Sequence, residues 1–87
     1  MRIKILHNPH PGEILFAEFM EPNKLINYRL AKDMKISEMR VGKIVSRESS
    51  ITANIAIRLE MYFGMDASFW RGLQTDYDLL ERKRKVI

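Results

Sequence analysis

The sequence predicts an all-α domain of five helices with a helix-turn-helix at its centre. Apolar residues recur at helical spacing through most of the chain. Residues 25–47 have the pattern of two short helices joined by a tight turn. Proline, glycine and hydroxyl residues stand where these helices would begin or end. With 87 residues, 46% of them hydrophobic, the chain is expected to form one domain with a small core.

The first predicted helix follows residues 1–8, whose loose alternation of Ile3 and Ile5 predicts a short extended arm. Segment 10–13 opens the helix, because proline is tolerated in a first turn. Pro22 ends it, since the residue before proline disfavours helical backbone. The predicted inner face of this helix consists of Ile14, Leu15 and Phe19.

The central pair of helices is predicted from two apolar stripes on either side of a turn. The first helix begins near Asn27, and Ile36 is expected to be buried between the two helices. Ser37 suits the N-cap of the second helix, because its hydroxyl can accept a hydrogen bond from a free backbone N–H. The second helix then keeps a polar, basic face exposed, which is the arrangement that enters the DNA major groove. The inward residues are Leu30, Ala31, Met34, Val41, Ile44 and Val45.

Two residues depart from the usual helix-turn-helix pattern. Lys35 occupies a turn position where glycine is common, because the backbone there tends towards positive φ. Ile26 precedes the first motif helix, where serine or threonine is the more usual cap. A small helical hairpin with a solvated face therefore remains an alternative interpretation of residues 25–47.

Two further helices complete the predicted fold. Residues 49–51 form a loop, Thr52 caps the fourth helix, and Gly64 terminates it in a left-handed conformation. Asp66 or Ser68 opens the fifth. The inner faces consist of Ala56, Leu59 and Phe63 in the fourth helix and of Phe69, Trp70, Leu73, Tyr77 and Leu80 in the fifth. The chain is thus divided into an arm (1–8), a helix-turn-helix domain (9–80) and a basic tail (81–87), all within a single domain.

Basic charge is concentrated in the predicted helix-turn-helix. Residues 29–47 carry six basic side chains against two acidic ones, whereas residues 48–81 carry two basic against six acidic. A basic patch on one face attracts phosphates, so a nucleic acid is the indicated partner. Residues 82–85 are four more basic side chains, expected to form the solvated, frayed end of a helix.

Several function classes are disfavoured. The chain has no cysteine, so thiolate zinc sites and disulfides are excluded. His7 and His10 are its two histidines; without a third ligand they make a weak metal site, and both are expected at the surface. Neither a Ser–His–Asp set nor a Gly-rich phosphate loop is found. We therefore predict a cytoplasmic non-enzyme without cofactor or metal, membrane span or secretory signal.

The chain resembles the HigA-type antitoxins, or virulence-associated protein I group, of the Xre/Cro-like helix-turn-helix class. Four segments carry the resemblance: HPGEIL (10–15), LAKDMKISEMRVGKIV (30–45), ITANIAIRLEMYFG (51–64) and FWRGLQTDYDL (69–79). It covers residues 9–80, and the first and last segments are its most specific parts. It implies a five-helix Cro/lambda-repressor-like fold and a homodimer that binds a palindromic operator in its own promoter. It also implies a HigB-type toxin partner, a RelE-like ribonuclease that cleaves mRNA, which the antitoxin neutralises.

The resemblance also assigns DNA-binding residues. Lys43 could donate to guanine, Glu38 could accept from cytosine, and Met39 could touch a thymine methyl. Asn27 stands where the class contacts a phosphate at a helix N-terminus. Glu38 could instead only favour its helix N-terminus, and Met39 could be a partly buried spacer. The predicted DNA-binding set is Asn27, Ser37, Glu38, Met39, Arg40, Lys43 and Arg47.

The remaining surfaces offer candidate protein contacts. Tyr77 and Leu80 lie late in the last helix, where an apolar stripe could form a self-complementary dimer surface. The acidic span 48–81 could face a basic toxin, although a solvated acidic surface is the simpler interpretation. The arm 1–8 could add to a partner's sheet. Besides the antitoxin, two alternatives remain: a stand-alone Cro-like transcriptional regulator without a toxin, and an interaction module that no longer binds DNA.

Overall fold

The computed structural model describes residues 7–86 and confirms the predicted all-α, five-helix fold. The predicted arm therefore lies mostly outside the described residues. No helix within 7–86 is long and apolar enough to cross a membrane. The helices are α1 (Pro11–Ile14), which continues as a π-helical segment (Leu15–Met20), α2 (Asn27–Met34), α3 (Glu38–Val45), α4 (Ala53–Phe63) and α5 (Ala67–Val86).

Helix α1 begins with a capping box built on His10. The Gly12 N–H donates to His10 Nδ1 at 2.9 Å, and the His10 N–H donates to Glu13 Oε2 at 2.8 Å. The imidazole meets the Tyr77 ring edge-on at a centroid distance of 4.8 Å, and His10 is only 5% exposed. The prediction of a surface histidine was therefore wrong for His10, because the ring serves as a helix cap beneath α5.

The α1 segment lies directly against the end of α3. A Cβ built on Gly12 would stand 1.8 Å from the carbonyl oxygen of Ile44, so only glycine fits this contact. Helix α1 also contacts α5. The capped turn at His10 thus joins the first helix, the end of α3 and the last helix.

The core is formed largely by the predicted stripes, and it also contains Met20, Ile55 and the loop residue Ile51, which were not among them. Ile51 is fully buried, although the sequence places it between two helices. Its N–H donates to Oε1 of the buried Gln74 at 2.8 Å, which ties the loop to α5. The largest fully buried side chains are Trp70, Leu15, Met20, Leu30, Ile51, Ile55, Leu59 and Val41.

Helix α5 is longer than the core beneath it. It begins at Ala67, directly after Asp66, one of the two predicted starts, and the Asp66 carbonyl accepts from the Phe69 N–H at 2.9 Å. At its other end the basic residues 82–85, expected to fray, are helical. Glu81 receives hydrogen bonds from Asn8 and Arg84, each at 3.0 Å, and cations also suit a helix C-terminus.

Candidate nucleic-acid interface

Helices α2 and α3 form the predicted helix-turn-helix. Leu30, Ala31 and Met34 of α2 are buried, as are Val41 and Ile44 of α3. Val45 and Ile36 are half-buried and packed against this core. Ile36 therefore joins the core but is less enclosed than predicted, because it stands in the turn.

The turn between the helices forms with lysine in the left-handed conformation. Lys35 has φ 60° and ψ 43° and ends α2. The next N–H, that of Ile36, donates to the Ala31 carbonyl at 3.0 Å and closes the turn. A left-handed non-glycine residue costs about 1–2 kcal/mol, which the packing of the two helices can offset. The helix-turn-helix therefore forms although lysine stands at the turn position where glycine is common.

Helix α3 presents a polar face opposite its buried one. The Ser37 hydroxyl accepts from the Arg40 N–H at 3.2 Å, which confirms the predicted N-cap. Glu38, Met39, Arg40 and Lys43 are exposed, with Met39 at 67%. The structure thus brings these five predicted residues together at the start and on the outer side of one helix.

Asn27 lies where α2 begins, close to the middle of α3. Its Nδ2 stands 3.7 Å from the position a Cβ on Gly42 would take, an ordinary van der Waals distance, so the amide lies beside the middle of α3. Ile26 is exposed and gives the first N–H groups of α2 no side-chain cap. These N–H groups point out of the helix beside the polar face of α3, where an anion could bind them.

Arg47 lies apart from the other predicted residues. It follows the end of α3 with φ 71°, and its Nη1 stands 3.7 Å from Glu13 Oε1. Because this ion pair is exposed, it contributes little to stability. It does hold the Arg47 side chain towards α1, away from the first turn of α3.

The hydroxyl residues before α4 also belong to this surface, although they were not predicted from the sequence to do so. Arg40 and Ile44 line a shallow cavity of about 250 Å³ together with Ser49, Ser50 and Thr52. Thr52 caps α4 by accepting from the Ile55 N–H at 3.3 Å, as predicted. The run Ser49-Ser50 before a capped helix is a signal that could have indicated the proximity to α3.

Helix α4 in turn holds the far end of α2. Arg58 donates to the Met34 carbonyl at 2.7 Å, which caps the last turn of α2. The Tyr62 hydroxyl donates to Asp33 Oδ2 at 2.8 Å. This hydrogen bond is the main reason that the pKa of Asp33 is lowered and that of Tyr62 raised, with Arg29 further lowering the pKa of Asp33. These contacts fix the end of α2 against α4 and leave the outer face of α3 exposed to solvent.

The predicted dimer residues lie on the second half of α5. The Tyr77 ring packs on His10 of its own chain, and its carbonyl accepts from Asn8 Nδ2 at 3.1 Å. Leu80 is half-buried, while its neighbour Leu79 is 55% exposed. Much of the Tyr77 side chain is therefore already in contact with residues of its own chain.

Curated relatives match most of this chain. No protein-family model matches it. Over 70 residues it is 47% identical to virulence-associated protein I of Dichelobacter nodosus, covering 80% of this chain and 65% of that protein. Over 68 residues it is 38% identical to an HTH-type transcriptional regulator of Haemophilus influenzae, covering 78% and 64%. The chain therefore spans just under two thirds of the length of these relatives.

A solved structure matches most of the chain. The Pseudomonas aeruginosa antitoxin HigA with higBA promoter superposes with a TM-score of 0.89 at 38% identity. The match covers 91% of this chain and 86% of that one.

Proposed function

The chain belongs to the HigA antitoxin family, and on that premise we propose that it is an antitoxin that represses its own operon. In this proposal it binds operator DNA as a homodimer and neutralises a HigB-type, RelE-like toxin that cleaves mRNA. Its role is binding rather than catalysis, and it acts in the cytoplasm.

The exposed outer face of α3 is the observation that carries the DNA-binding proposal. Lys43 and Arg40 place cations there, and both are exposed. Lys43 is the first candidate for a guanine contact, and Met39 offers an apolar surface to a thymine methyl. Glu38 could accept from cytosine. Asn27 and the uncapped start of α2 would bind a backbone phosphate and so fix the register of α3 in the groove.

Arg47 has a different proposed role. Its ion pair with Glu13 holds the side chain towards α1, so we assign it a phosphate contact at the edge of the interface. Arg40 lies beside Ser49 and Ser50, which suit the same backbone chemistry. Base contacts would therefore come from the start and middle of α3, and phosphate contacts from around it.

The toxin is proposed from the family, and the charge of the chain supports it. The span 48–81 carries six acidic side chains against two basic ones, and five of the six acidic residues belong to or flank α4 and α5. An acidic surface favours association with a basic ribonuclease. The test is co-purification with the product of the adjacent reading frame, followed by relief of that product's mRNA cleavage. A neighbouring product that neither binds nor cleaves RNA would contradict the antitoxin role.

The alternative is a stand-alone transcriptional regulator with the same DNA chemistry. The similarity to an HTH-type transcriptional regulator of Haemophilus influenzae favours it. The two functions share operator binding and differ only in the protein partner. Operator binding without any toxin partner would therefore select the regulator.

A further inference from the structure

The backbone at the end of α3 holds Arg47 in a fixed position. Its φ is 71°, in the left-handed region where glycine is the usual residue after a helix. The Arg47 N–H donates to the Ile44 carbonyl at 3.1 Å, and the next N–H, that of Glu48, donates back to α3. The latter bond ends on the Lys43 carbonyl at 2.8 Å. These two bonds form a Schellman motif, which determines where the Arg47 side chain leaves the backbone.

Glu13 is held opposite Arg47 by the cap of α1. Its Oε2 accepts from the His10 N–H at 2.8 Å, while its Oε1 faces the Arg47 guanidinium. Gly12 packs against the Ile44 carbonyl, the same oxygen that accepts from the Arg47 N–H. The two side chains therefore meet because α1 contacts the last turn of α3.

This ion pair differs from the other two that are found within residues 7–86. The other two lie inside single helices, α2 and α5. The pair of Glu13 with Arg47 joins α1 to the end of α3. Arg40 and Lys43, the other cations of the predicted DNA-binding set, form no ion pair in the described part of the chain. A carboxylate thus occupies Arg47 where the proposed function places a phosphate.

We propose that Glu13 is an intramolecular counter-ion that pairs with Arg47 in the free protein and is replaced by a backbone phosphate when DNA binds. The inference rests on the proposed function, in which Arg47 contacts a phosphate at the edge of the interface. It makes Glu13 a positioning residue that weakens binding to every duplex, because phosphate contacts carry no sequence information.

The contact between the two side chains is loose enough for this exchange. Arg47 Nη1 and Glu13 Oε1 stand 3.7 Å apart, whereas a charge-assisted hydrogen bond between such groups measures about 2.7–2.9 Å. The Arg47 side chain is 60% exposed, so its other N–H groups are accessible. A phosphate can accept two parallel hydrogen bonds from a guanidinium, so it is the stronger partner.

The exchange has a cost, because Glu13 stays in place when Arg47 turns to the DNA. The His10 N–H holds the other oxygen of this carboxylate, so its negative charge remains near the bound phosphate. Exposed ion pairs are weak, so the expected loss of affinity is about two- to fivefold. Glu48, the next carboxylate along the chain, accepts from the Ser46 hydroxyl at 2.7 Å instead.

The variant Glu13→Gln tests the proposal, because glutamine loses the charge but can still complete a capping box. Anisotropy titrations use the DNA upstream of the chain's own gene and a scrambled duplex. Binding to both should become about two- to fivefold tighter, with a salt dependence steeper by up to about one counterion. Glu18→Gln is the matched control, since it changes the net charge equally at an exposed site of the same helical segment. It should alter affinity much less.

Arg47→Gln completes a double-mutant cycle. On its own it should weaken binding to both duplexes and make the salt dependence shallower, because one phosphate contact is lost. Adding Glu13→Gln to it should then give no gain beyond that of Glu18→Gln, since the carboxylate has no guanidinium to occupy. Circular dichroism and urea unfolding of each variant establish that it is folded.

Each other result contradicts a distinct part of the account. An unchanged affinity in Glu13→Gln, an equal gain in Glu18→Gln, or a full gain in the Arg47→Gln background would overturn the inference. Weaker binding by Glu13→Gln would overturn it as well, since the carboxylate would then prepare Arg47 for the phosphate. In all these cases the wild type still binds operator DNA, so the proposed function stands. A wild-type chain that binds neither duplex would contradict the proposed function itself.

Discussion

Helices α3 and α4 are built alike and differ in what they present outwards. Each begins at a hydroxyl cap, Ser37 or Thr52, and each buries one side in the same core. The outer side of α3 is polar and basic, whereas the outer side of α4 carries Ile57 and Met61. The inner faces therefore account for the fold. The outer faces differ in chemistry: that of α3 carries the proposed DNA contacts, whereas that of α4 is largely apolar.

The largest effect should come from the inner side of α4. Leu59 is fully buried, so Leu59→Ala should lower the free energy of unfolding by about 2–5 kcal/mol through lost burial and a cavity. Met61→Ala, two residues along on the exposed side, should change the stability of the folded monomer by less than about 0.5 kcal/mol. Urea unfolding at a concentration where the protein is monomeric measures both. Equal losses would contradict the division into inner and outer faces.

The next largest effect should come from the outer side of α3. Lys43→Ala should weaken operator binding by about 1–3 kcal/mol and relax the preference at one base pair, with unfolding unchanged. Lys83→Ala, an exposed lysine of the same charge near the end of α5, is the matched control. Binding to a panel of single-base operator variants distinguishes the roles. An equal loss on every sequence would make Lys43 a phosphate contact instead.

Acid should weaken the contact between α1 and the end of α3, because it protonates His10, the residue that caps α1. Burial lowers the pKa of His10 and nearby Arg47 lowers it further, while Glu13 and Asp78 act in the opposite direction. Between its lowered folded pKa and its ordinary value near 6.5 the unfolded chain binds more protons, so stability should fall as pH drops below about 6.5. Protonation also removes the acceptor for the Gly12 N–H, and Gly12 packs on the Ile44 carbonyl.

The variant His10→Asn isolates this effect, because asparagine can cap a helix and does not titrate. Unfolding midpoints between pH 7.5 and 5.5 should fall less in His10→Asn than in the wild type. His7→Asn, which changes the exposed histidine, should behave as the wild type does. An unchanged pH dependence in His10→Asn would remove His10 as the cause.

The smallest effect should come from the turn between α2 and α3. Lys35→Gly removes the cost of holding a lysine in the left-handed backbone conformation. Glycine also adds backbone freedom to the unfolded chain, so the expected stabilisation is about 1 kcal/mol or less. Gly64→Ala at the end of α4, where φ is 88°, should destabilise by about 1–2 kcal/mol. Thermal unfolding compares the two. A loss of stability in Lys35→Gly would show that the lysine side chain has a role of its own.

The residues that were predicted correctly depend on local patterns. Helical spacing identified Leu30, Met34 and Val41, and single-residue chemistry identified the caps Ser37 and Thr52. The same spacing indicated which residues of α3 stay exposed. These features follow from a few neighbouring residues, so a single sequence contains enough information to find them.

The features that were missed depend on contacts far apart in the chain. His10 is buried because α5 supplies Tyr77, 67 positions later. Ile51 can be buried because Gln74, 23 positions later, satisfies its backbone N–H. No local pattern distinguishes such residues from an exposed histidine or a loop isoleucine.

Fluorescence anisotropy of the wild-type chain on the DNA upstream of its own gene tests the central claim, that the outer face of α3 binds a specific operator. A scrambled duplex is titrated in parallel, and both titrations are repeated at two salt concentrations. The account predicts tight binding to the upstream DNA, much weaker binding to the scrambled duplex, and a loss of affinity as salt rises. Equal, weak binding to both duplexes would contradict it.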